Sequence, residues 1–273
     1  MGRLDGKVAF ITGAARGMGR AHAVKLSSEG ADVIALDICG EFASTDYAGS
    51  TPEDLDTTVK LVEAQGRRIL ARVADVRDPQ AVDAVVAEGL AEFGRLDIVI
   101  ANAGIIRLTD SDDPRRTFRD VVDVNLIGAW NTVDAAIPAL IAGGRGGSIV
   151  LASSTAGIKA SGTERPGLQG YAASKRGLVA LMQGWASQLA PHSIRVNTIH
   201  PSGVATNMIM NESTLGLSQA GDPWLATQQN ALPIVLLQPE QIATAVAWLV
   251  SDEAEFITGT SWPLDAGFGI RTY

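Results

Sequence analysis

Residues 7–19 read Lys-Val-Ala-Phe-Ile-Thr-Gly-Ala-Ala-Arg-Gly-Met-Gly, an apolar run that leads directly into glycines. A short, continuously apolar run predicts a strand buried in a parallel sheet, and residues 20–30 after it have the pattern of a helix closed by glycine. Between a strand and a helix, Gly13 permits a sharp turn, Gly17 lets backbone approach a pyrophosphate, and Gly19 lets the helix pack close to the strand. The segment therefore predicts a nucleotide-binding turn, with the phosphates at the N-terminus of the helix.

The alternation of strand and helix continues along the 273 residues. It predicts an α/β fold: a single domain over residues 1–273, built on one Rossmann-type, doubly wound parallel sheet flanked by helices. Residues 204–235 break the alternation and are predicted to be an irregular substrate loop. We predict further strands at 32–37, 68–73, 96–100, 148–153, 195–199 and 260–265, and further helices at 53–65, 79–93, 114–141, 171–190 and 239–250.

The composition narrows the class of protein. A formal net charge of −8 argues against broad binding to nucleic acid or anionic membranes. The single cysteine, Cys39, precludes an intrachain disulfide and fits a reducing compartment. There is no signal-peptide pattern in residues 1–15, and no uninterrupted apolar run reaches the roughly 18 residues that a bilayer crossing needs. We therefore expect a soluble, cytoplasmic protein.

Asp37 ends the second predicted strand, about twenty residues beyond the glycines. A carboxylate there accepts hydrogen bonds from the adenosine ribose hydroxyls and repels a 2′-phosphate. The residues after it, Ile38-Cys39-Gly40, include no arginine, so the sequence favours NAD over NADP. The alternative is that Asp37 only caps the next turn.

Residues 40–51 form a long polar loop beside this predicted adenosine site. Loops of this length are usually functional or disordered, so we interpret this one as a cofactor lid or, equally, as a tolerated insertion. Thr51 and Pro52 are expected to cap and start the next helix. Asp75, after the third strand, bonds the adenine or only caps the helix near Pro79.

Tyr171 and Lys175 lie four residues apart, which places both on one face of a helix. An ammonium close to a phenol favours the phenolate, so the pair could exchange a proton nearer neutrality. That is the base that an alcohol-to-carbonyl hydride transfer needs. The alternative is a surface tyrosine beside a solvated lysine. Asn125, inside a predicted helix, is expected to bend the helix or bind water.

Taken together, these motifs resemble the short-chain dehydrogenase/reductase family over residues 5–269. The matching motifs are Thr12-Gly13…Gly17-Met18-Gly19, Asp75, Asn102-Ala103-Gly104, Asn125, Ser154, Tyr171…Lys175 and Pro201…Gly203…Thr206. Three positions depart from the family pattern. Ala101 replaces an asparagine, Ser202 stands inside the Pro-Gly turn, and Ser154 lies seventeen residues before Tyr171, about four more than usual.

The resemblance implies a role for each motif. Tyr171 would be the acid/base, Lys175 would lower its pKa and bond the nicotinamide ribose, Ser154 would steady the substrate oxygen, and Asn125 would hold a water in a proton relay. Ser154 is preferred to Ser153 because Ser154-Thr-Ala-Gly157 matches in register. The residues implied to contact NAD are Gly13, Arg16, Gly17, Met18, Gly19, Asp37, Ile38, Asp75, Val76, Asn102, Ala103, Gly104, Tyr171, Lys175, Val204, Thr206 and Met208. No metal is implied.

More narrowly, the insertion after Asp37 is similar to a carveol dehydrogenase-like actinobacterial subfamily associated with the redox cofactor mycofactocin. This similarity implies a hydrophobic alcohol or ketone substrate, a tightly held NAD that does not exchange, and a mycofactocin-linked electron acceptor. The family implies a homotetramer that pairs through helices 114–141 and 171–190 and through residues 262–273. Two other readings stay open: a 3-oxoacyl-[acyl-carrier-protein] reductase-like enzyme, which Asp37 disfavours, and a non-catalytic nucleotide-binding regulator.

Overall fold

The computed structural model describes residues 2–160 and 162–271, and within these ranges seven parallel strands form one sheet. The order β3-β2-β1-β4-β5-β6-β7 reverses direction between β1 and β4, which opens a crevice at the carboxyl ends of these strands. This confirms the predicted doubly wound α/β fold. The strands are β1 Val8–Thr12, β2 Asp32–Asp37, β3 Ile69–Val73, β4 Ile98–Ala101, β5 Gly147–Ala152, β6 Ile194–Pro201 and β7 Ser261–Leu264.

Helices cover both faces of the sheet. Successive residues of β1 point to opposite layers, so that Phe10 packs in one apolar cluster and Ile11 in the other. This two-sided burial explains why the strands are continuously apolar. The helices are α1 Gly17–Ser28, α2 Pro52–Glu63, α3 Pro79–Phe93, α4 Pro114–Val122, α5 Gly128–Gly143, α6 Pro166–Leu189, α7 Glu212–Gln219, α8 Pro223–Ala226 and α9 Pro239–Val250.

Helix α6 begins at Pro166 and not at Tyr171 as predicted. Pro166 occupies the first helical position, where its missing N–H costs nothing, and two glycines in the first turns had obscured the helical pattern. The prediction that residues 204–235 are irregular was also wrong in part. They contain α7 and α8, which begin because the side chains of Asn211 and Asp222 accept backbone N–H groups at their N-termini.

A π-helical turn, Asp123–Ile127, joins α4 to α5. It contains the fully buried Asn125, so the predicted distortion of this helix is confirmed. By length and composition alone the run Pro114–Gly143 could cross a membrane. In this fold, however, α4 packs against α6 and α5 packs against α3, as core helices of a globular protein do.

Candidate active site

The glycine turn and the end of β4 pack directly against each other. Gly13 has a left-handed φ of +66°, and a Cβ there would lie 2.8 Å from the Cα of Ala103. A Cβ on Gly19 would lie 1.9 Å from the carbonyl oxygen of Gly13, so only glycine lets α1 start this close to the strand. Asn102 joins the two turns, since its Nδ2 donates to the carbonyl oxygen of Thr12 at 3.0 Å. Asn102 therefore locks the turn after β4 against the glycine turn through its side chain.

Asp37 is buried at the end of β2, and its carboxylate accepts three hydrogen bonds. One carboxylate oxygen accepts the N–H of Ala15 at 2.9 Å, and the other accepts the N–H of Cys39 at 3.0 Å and the hydroxyl of Ser50 at 2.6 Å. An ionised carboxylate offers about four acceptor sites, so one remains for a ribose hydroxyl. Asp37 thus ties the glycine turn to Ser50, two residues before α2, while keeping acceptor capacity toward the cavity.

Asp75 does not cap α3, because Asp78 accepts the free N–H groups of that helix. The carboxylate of Asp75 pairs instead with Arg77, at 2.6 Å. The guanidinium of Arg77 in turn lies 4.8 Å from the ring centroid of Phe42 in the insertion. Of the two interpretations of Asp75, the capping one was wrong.

The insertion, residues 40–50, is anchored on several sides. A single carboxylate oxygen of Asp46 accepts the N–H of Leu108 at 3.1 Å, and the N–H and hydroxyl of Thr109 at 2.9 and 2.8 Å. The phenol of Tyr47 accepts the N–H of Ile106 at 3.3 Å. Nη1 of Arg16 donates to the carbonyl oxygen of Gly49 at 2.8 Å. The insertion therefore bridges the glycine turn and the loop after β4.

The proton-transfer side chains meet where β5 ends and α6 passes. Lys175 is buried; its Nζ donates to the carbonyl oxygen of Ala152 at 2.6 Å and lies 5.4 Å from the ring centroid of Tyr171. The hydroxyl of Ser154 lies close enough to the phenol of Tyr171 to lower the pKa of that phenol, whereas the hydroxyl of Ser153 donates to the backbone oxygen of Lys175 at 2.8 Å. This division of contacts favours Ser154 over Ser153 as the residue that faces a substrate oxygen.

Burial shifts the pKa of both Tyr171 and Lys175. Burial raises the pKa of Tyr171 above its usual value, and the hydrogen bond from Ser154 offsets this only in part. Burial also lowers the pKa of Lys175 to about 8. Nζ of Lys175 is bonded to the carbonyl oxygen of Ala152 and lies toward the ring of Tyr171, and its lowering of the pKa of Tyr171 stays a prediction.

Asn125 clamps the chain after β4 with both ends of its amide. Its Oδ1 accepts the N–H of Ile105 at 2.7 Å, and its Nδ2 donates to the carbonyl oxygen of Ile105 at 2.9 Å. A Cβ on Gly104 would lie 3.2 Å from Oδ1 of Asn125 and 3.5 Å from Nζ of Lys175. The π-helical turn therefore brings the amide of Asn125 close to Lys175.

Two adjoining cavities meet at Tyr171. Two of the residues predicted to contact NAD do not line the first cavity: Gly19 lies behind the glycine turn, and Val204 lines the second cavity. The second cavity, about 970 Å³, is also lined by Ser154, Arg165, Trp224 and Ser202. No cluster of three metal-ligating side chains occurs in residues 2–160 and 162–271. The first cavity is lined by Gly13, Arg16, Gly17, Met18, Asp37, Ile38, Asp75, Val76, Asn102, Ala103, Gly104, Tyr171, Lys175, Thr206 and Met208.

The sequence did not point to several residues at these cavities. Tyr47 stands in the insertion without any motif around it. Arg165 and Asp222 form an ion pair between the N-terminus of α6 and that of α8, across 57 residues of chain. A pairing so distant in sequence leaves no local signal. His200, behind Ser154, follows the predicted strand 195–199 and belongs to no motif.

Comparison with known proteins agrees with this geometry. A short-chain dehydrogenase/reductase model described as enoyl-(acyl carrier protein) reductase matches residues 13–269. The (−)-trans-carveol dehydrogenase of Rhodococcus erythropolis is 44% identical, over 99% of this chain and 100% of that protein. The structure of a carveol dehydrogenase from Mycobacterium avium in complex with NAD is 43% identical with a TM-score of 0.93, covering 99% and 100% of the two chains. That of an NAD-bound short chain dehydrogenase from Mycobacterium paratuberculosis is 46% identical with a TM-score of 0.92, at the same coverage.

Proposed function

The chain belongs to the short-chain dehydrogenase/reductase family, and from this premise we propose that it is an NAD-dependent oxidoreductase that interconverts a secondary alcohol and a ketone. The observation that carries the proposal is the contact between Ser154 and Tyr171. Tyr171 lines both cavities, so its phenol stands between the cofactor side and the substrate side.

The cradle around the first cavity fits a dinucleotide. Side chains at Gly13, Gly17 or Gly104 would crowd the cavity. The N-terminus of α1 has free N–H groups, which would bind an anionic phosphate there. Asp37 would hold the ribose, and Asp75 would reach the adenine. When bound, NAD would supply the hydride acceptor for alcohol oxidation.

The chain's own residues would move the proton. In the oxidation direction, the phenolic oxygen of Tyr171 would take the hydroxyl proton of the alcohol, and the hydroxyl of Ser154 would hold the same substrate oxygen as it becomes a carbonyl. Lys175, with a pKa near 8, can exchange a proton close to neutral pH. Asn125 would hold a water that connects Lys175 to a proton relay. Thr206 would face the nicotinamide carboxamide.

We propose a small hydrophobic alcohol or ketone as the substrate. Met208, Ile209 and Trp224 supply apolar surface to the second cavity, and the carveol dehydrogenase relatives are consistent with this class. The carboxylate of Asp37 and the net charge of −8 count against an acyl-carrier-protein reductase, because such enzymes usually prefer NADPH and an acidic carrier needs a basic dock.

The remaining expectations are proposals of the same kind. The insertion would retain NAD tightly, with a mycofactocin-linked acceptor taking the electrons. The protein would be a cytoplasmic single domain and a homotetramer, and the half-exposed side chains of Phe118, Ile127 and Trp130 on the 114–143 helical run offer apolar surface to a second copy. Thr272 and Tyr273, which end the predicted C-terminal contact, lie outside the described residues, as does Ser161 in the loop before α6.

Replacement of Tyr171 by phenylalanine tests the reaction. Without the phenol no group takes the alcohol proton, so we expect kcat to fall about 1000-fold while the bound NAD is unchanged. Tyr47→Phe is the comparison variant: it removes a phenol that bonds the backbone of Ile106, so it should change NAD release but leave proton transfer, and hence kcat, near the wild-type value. Near-full activity of the Tyr171→Phe variant would refute the assignment.

Purification without added nucleotide tests the retention of NAD. The protein is denatured by heat and the released cofactor is identified and quantified, and a panel of cyclic alcohols is assayed with and without an artificial electron acceptor. Near-stoichiometric NAD and turnover only with the acceptor would support retention. Cofactor-free protein that turns over with added NAD would leave a conventional dehydrogenase.

A further inference from the structure

A histidine that the proposed mechanism does not use lies directly behind the serine that faces the substrate. His200 is in β6 and is fully buried. Its Nδ1 lies 2.7 Å from the backbone carbonyl oxygen of Ser154, and its Nε2 lies 2.8 Å from the hydroxyl of Thr198. Both ring nitrogens therefore have a hydrogen-bond partner: Nδ1 bonds Ser154 at the candidate active site, and Nε2 bonds Thr198 in the sheet.

The two contacts fix the protons on the ring. A carbonyl oxygen can only accept, so Nδ1 carries a proton and donates it to Ser154. Nε2 of the neutral ring then accepts from the hydroxyl of Thr198. Burial lowers the pKa of His200, which favours this neutral form. Thr198 is held in turn by a hydroxyl of β7, since its Oγ1 lies 3.3 Å from that of Ser261.

The peptide of Ser154 is thus held from two directions. Its carbonyl oxygen also accepts the N–H of Gly157 at 2.8 Å, which closes the short 3₁₀ turn Thr155–Gly157. That local bond shapes the turn but does not relate it to the sheet. The N–H of Ser153 joins the chain to β6 through the carbonyl oxygen of Ile199 at 3.0 Å, and the bond from His200 makes the corresponding link for the peptide of Ser154. The hydroxyl of Ser154 accepts the N–H of Ala156 at 3.2 Å within the turn, so the orientation of this turn sets where the hydroxyl points.

We infer that His200 is a positioning residue: by binding the carbonyl of Ser154 it sets the hydroxyl of this serine against Tyr171. The inference rests on the proposed function. It matters for rate because hydrogen-bond donors and acceptors stabilise a transition state only in a narrow range of positions, and small misplacements cost large factors. His200 itself lines neither cavity, and acts through Ser154.

Two replacements of His200 separate positioning from packing. In His200→Leu the ring volume is largely kept and the donor is lost, so we expect kcat to fall about tenfold with KM nearly unchanged. In His200→Asn the amide nitrogen comes close to the position of Nδ1, and most of kcat should return. His22→Leu is the matched control, because His22 is also fully buried and lies on α1; its kcat should equal the wild-type value.

A double-mutant cycle with Ser154→Ala shows whether the effect passes through the serine. If it does, His200→Leu causes no further loss of kcat once the hydroxyl of Ser154 is gone. An equal loss in both backgrounds, a wild-type kcat for His200→Leu, or an Asn variant as slow as the Leu variant would each overturn the inference.

Crystal structures of the variants test the geometry without turnover. In His200→Leu we expect the distance between the hydroxyls of Ser154 and Tyr171 to lengthen, and in His200→Asn to remain as in the wild type. An unchanged distance in the Leu variant overturns the inference even if the kcat of that variant falls. Failure of the proposed function appears elsewhere, as full activity of Tyr171→Phe or Ser154→Ala.

Discussion

The insertion at residues 40–50 borders the first cavity, and the substrate loop at residues 204–235 borders both. One hydrogen bond joins them, from the hydroxyl of Ser213 to the carbonyl oxygen of Asp46 at 2.9 Å, but different contacts anchor each one. The insertion is bound by side-chain-to-backbone hydrogen bonds from Asp46, Tyr47 and Arg16. In the substrate loop, Met210, Leu215, Leu232 and Val235 are between 57% and 85% exposed. One ion pair, Arg165 with Asp222, links the short helix α8 to the body of the protein.

The difference fits the two ligands that we propose. A buried polar contact fixes one arrangement, because each donor left without an acceptor costs free energy. Such contacts suit a cofactor that is the same in every turnover. Exposed apolar side chains add little stability and impose no single arrangement, which suits a loop whose ligand varies between enzymes. The contact sets at the two loops can be broken one at a time.

The largest expected effect is that of Asp46→Ala on NAD release. Three donors on Leu108 and Thr109 lose their acceptor, so we expect NAD to dissociate about 100-fold faster, a loss of roughly 2–3 kcal/mol. The measurement is the rate at which bound NAD exchanges with labelled nucleotide.

Two matched variants accompany it. Asp46→Asn keeps the oxygen that accepts all three donors and replaces an oxygen without a partner, so its release rate should stay within about tenfold of wild type. Asp112→Ala removes an exposed carboxylate from the neighbouring loop and should change nothing. Equal release from Asp46→Ala and wild type would show that the insertion does not retain NAD.

The second effect is that of Asp222→Asn on substrate binding. The variant leaves the partly buried guanidinium of Arg165 without its counter-ion, so we expect KM to rise about tenfold while NAD release is unchanged. Steady-state kinetics and the exchange rate together test this. A change in NAD release of similar size would mean that the two loops are not independent.

The same ion pair predicts a dependence on pH. Arg165 holds the pKa of Asp222 below its usual value. The contribution of this ion pair to the free energy of unfolding is therefore complete above about pH 4 and is lost as the pH falls through the lowered pKa. The Asp222→Asn variant should lose this dependence. Denaturation curves across the acid range measure it, and identical acid dependence in both proteins would contradict it.

A smaller effect is expected for Tyr47→Phe. The ring keeps its packing against the buried cluster of Ile106, Leu108 and Leu168 while the bond to the N–H of Ile106 is lost, so NAD release should rise about fivefold, or roughly 1 kcal/mol. Kinetics of nucleotide exchange measure it. A rate as fast as that of Asp46→Ala would assign the retention to Tyr47 instead.

The smallest effect is expected for Leu215→Ser in α7. Because the side chain is 57% exposed, the free energy of unfolding should change by less than about 0.5 kcal/mol, with KM within about twofold. Chemical denaturation and initial rates provide the measurement. A loss above 1 kcal/mol would show that the substrate loop is packed in solution.

The order of elements was predictable from the sequence. The strand Asp32–Asp37 and the helices Pro79–Phe93 and Pro239–Val250 have the predicted bounds, because apolar periodicity and proline at the first helical position are local properties. The start of α6 and the helices α7 and α8 were missed. Glycines and short polar stretches hide the helical periodicity there, and capping side chains decide where these helices begin.

The sequence by itself determined the doubly wound sheet, the glycine turn, and the grouping of Ser154, Tyr171 and Lys175 at the carboxyl ends of the strands. The sheet, the turn and the pairing of Tyr171 with Lys175 follow from periodicity and spacing along the chain, whereas Ser154 was grouped with them by the family resemblance. Only the tertiary structure decided that Asp46 anchors the insertion, that Arg165 pairs with Asp222, that burial raises the pKa of Tyr171, and that His200 binds the carbonyl of Ser154. The physical reason is that these contacts join residues remote in sequence, and burial is a property of the packed fold and not of any local pattern.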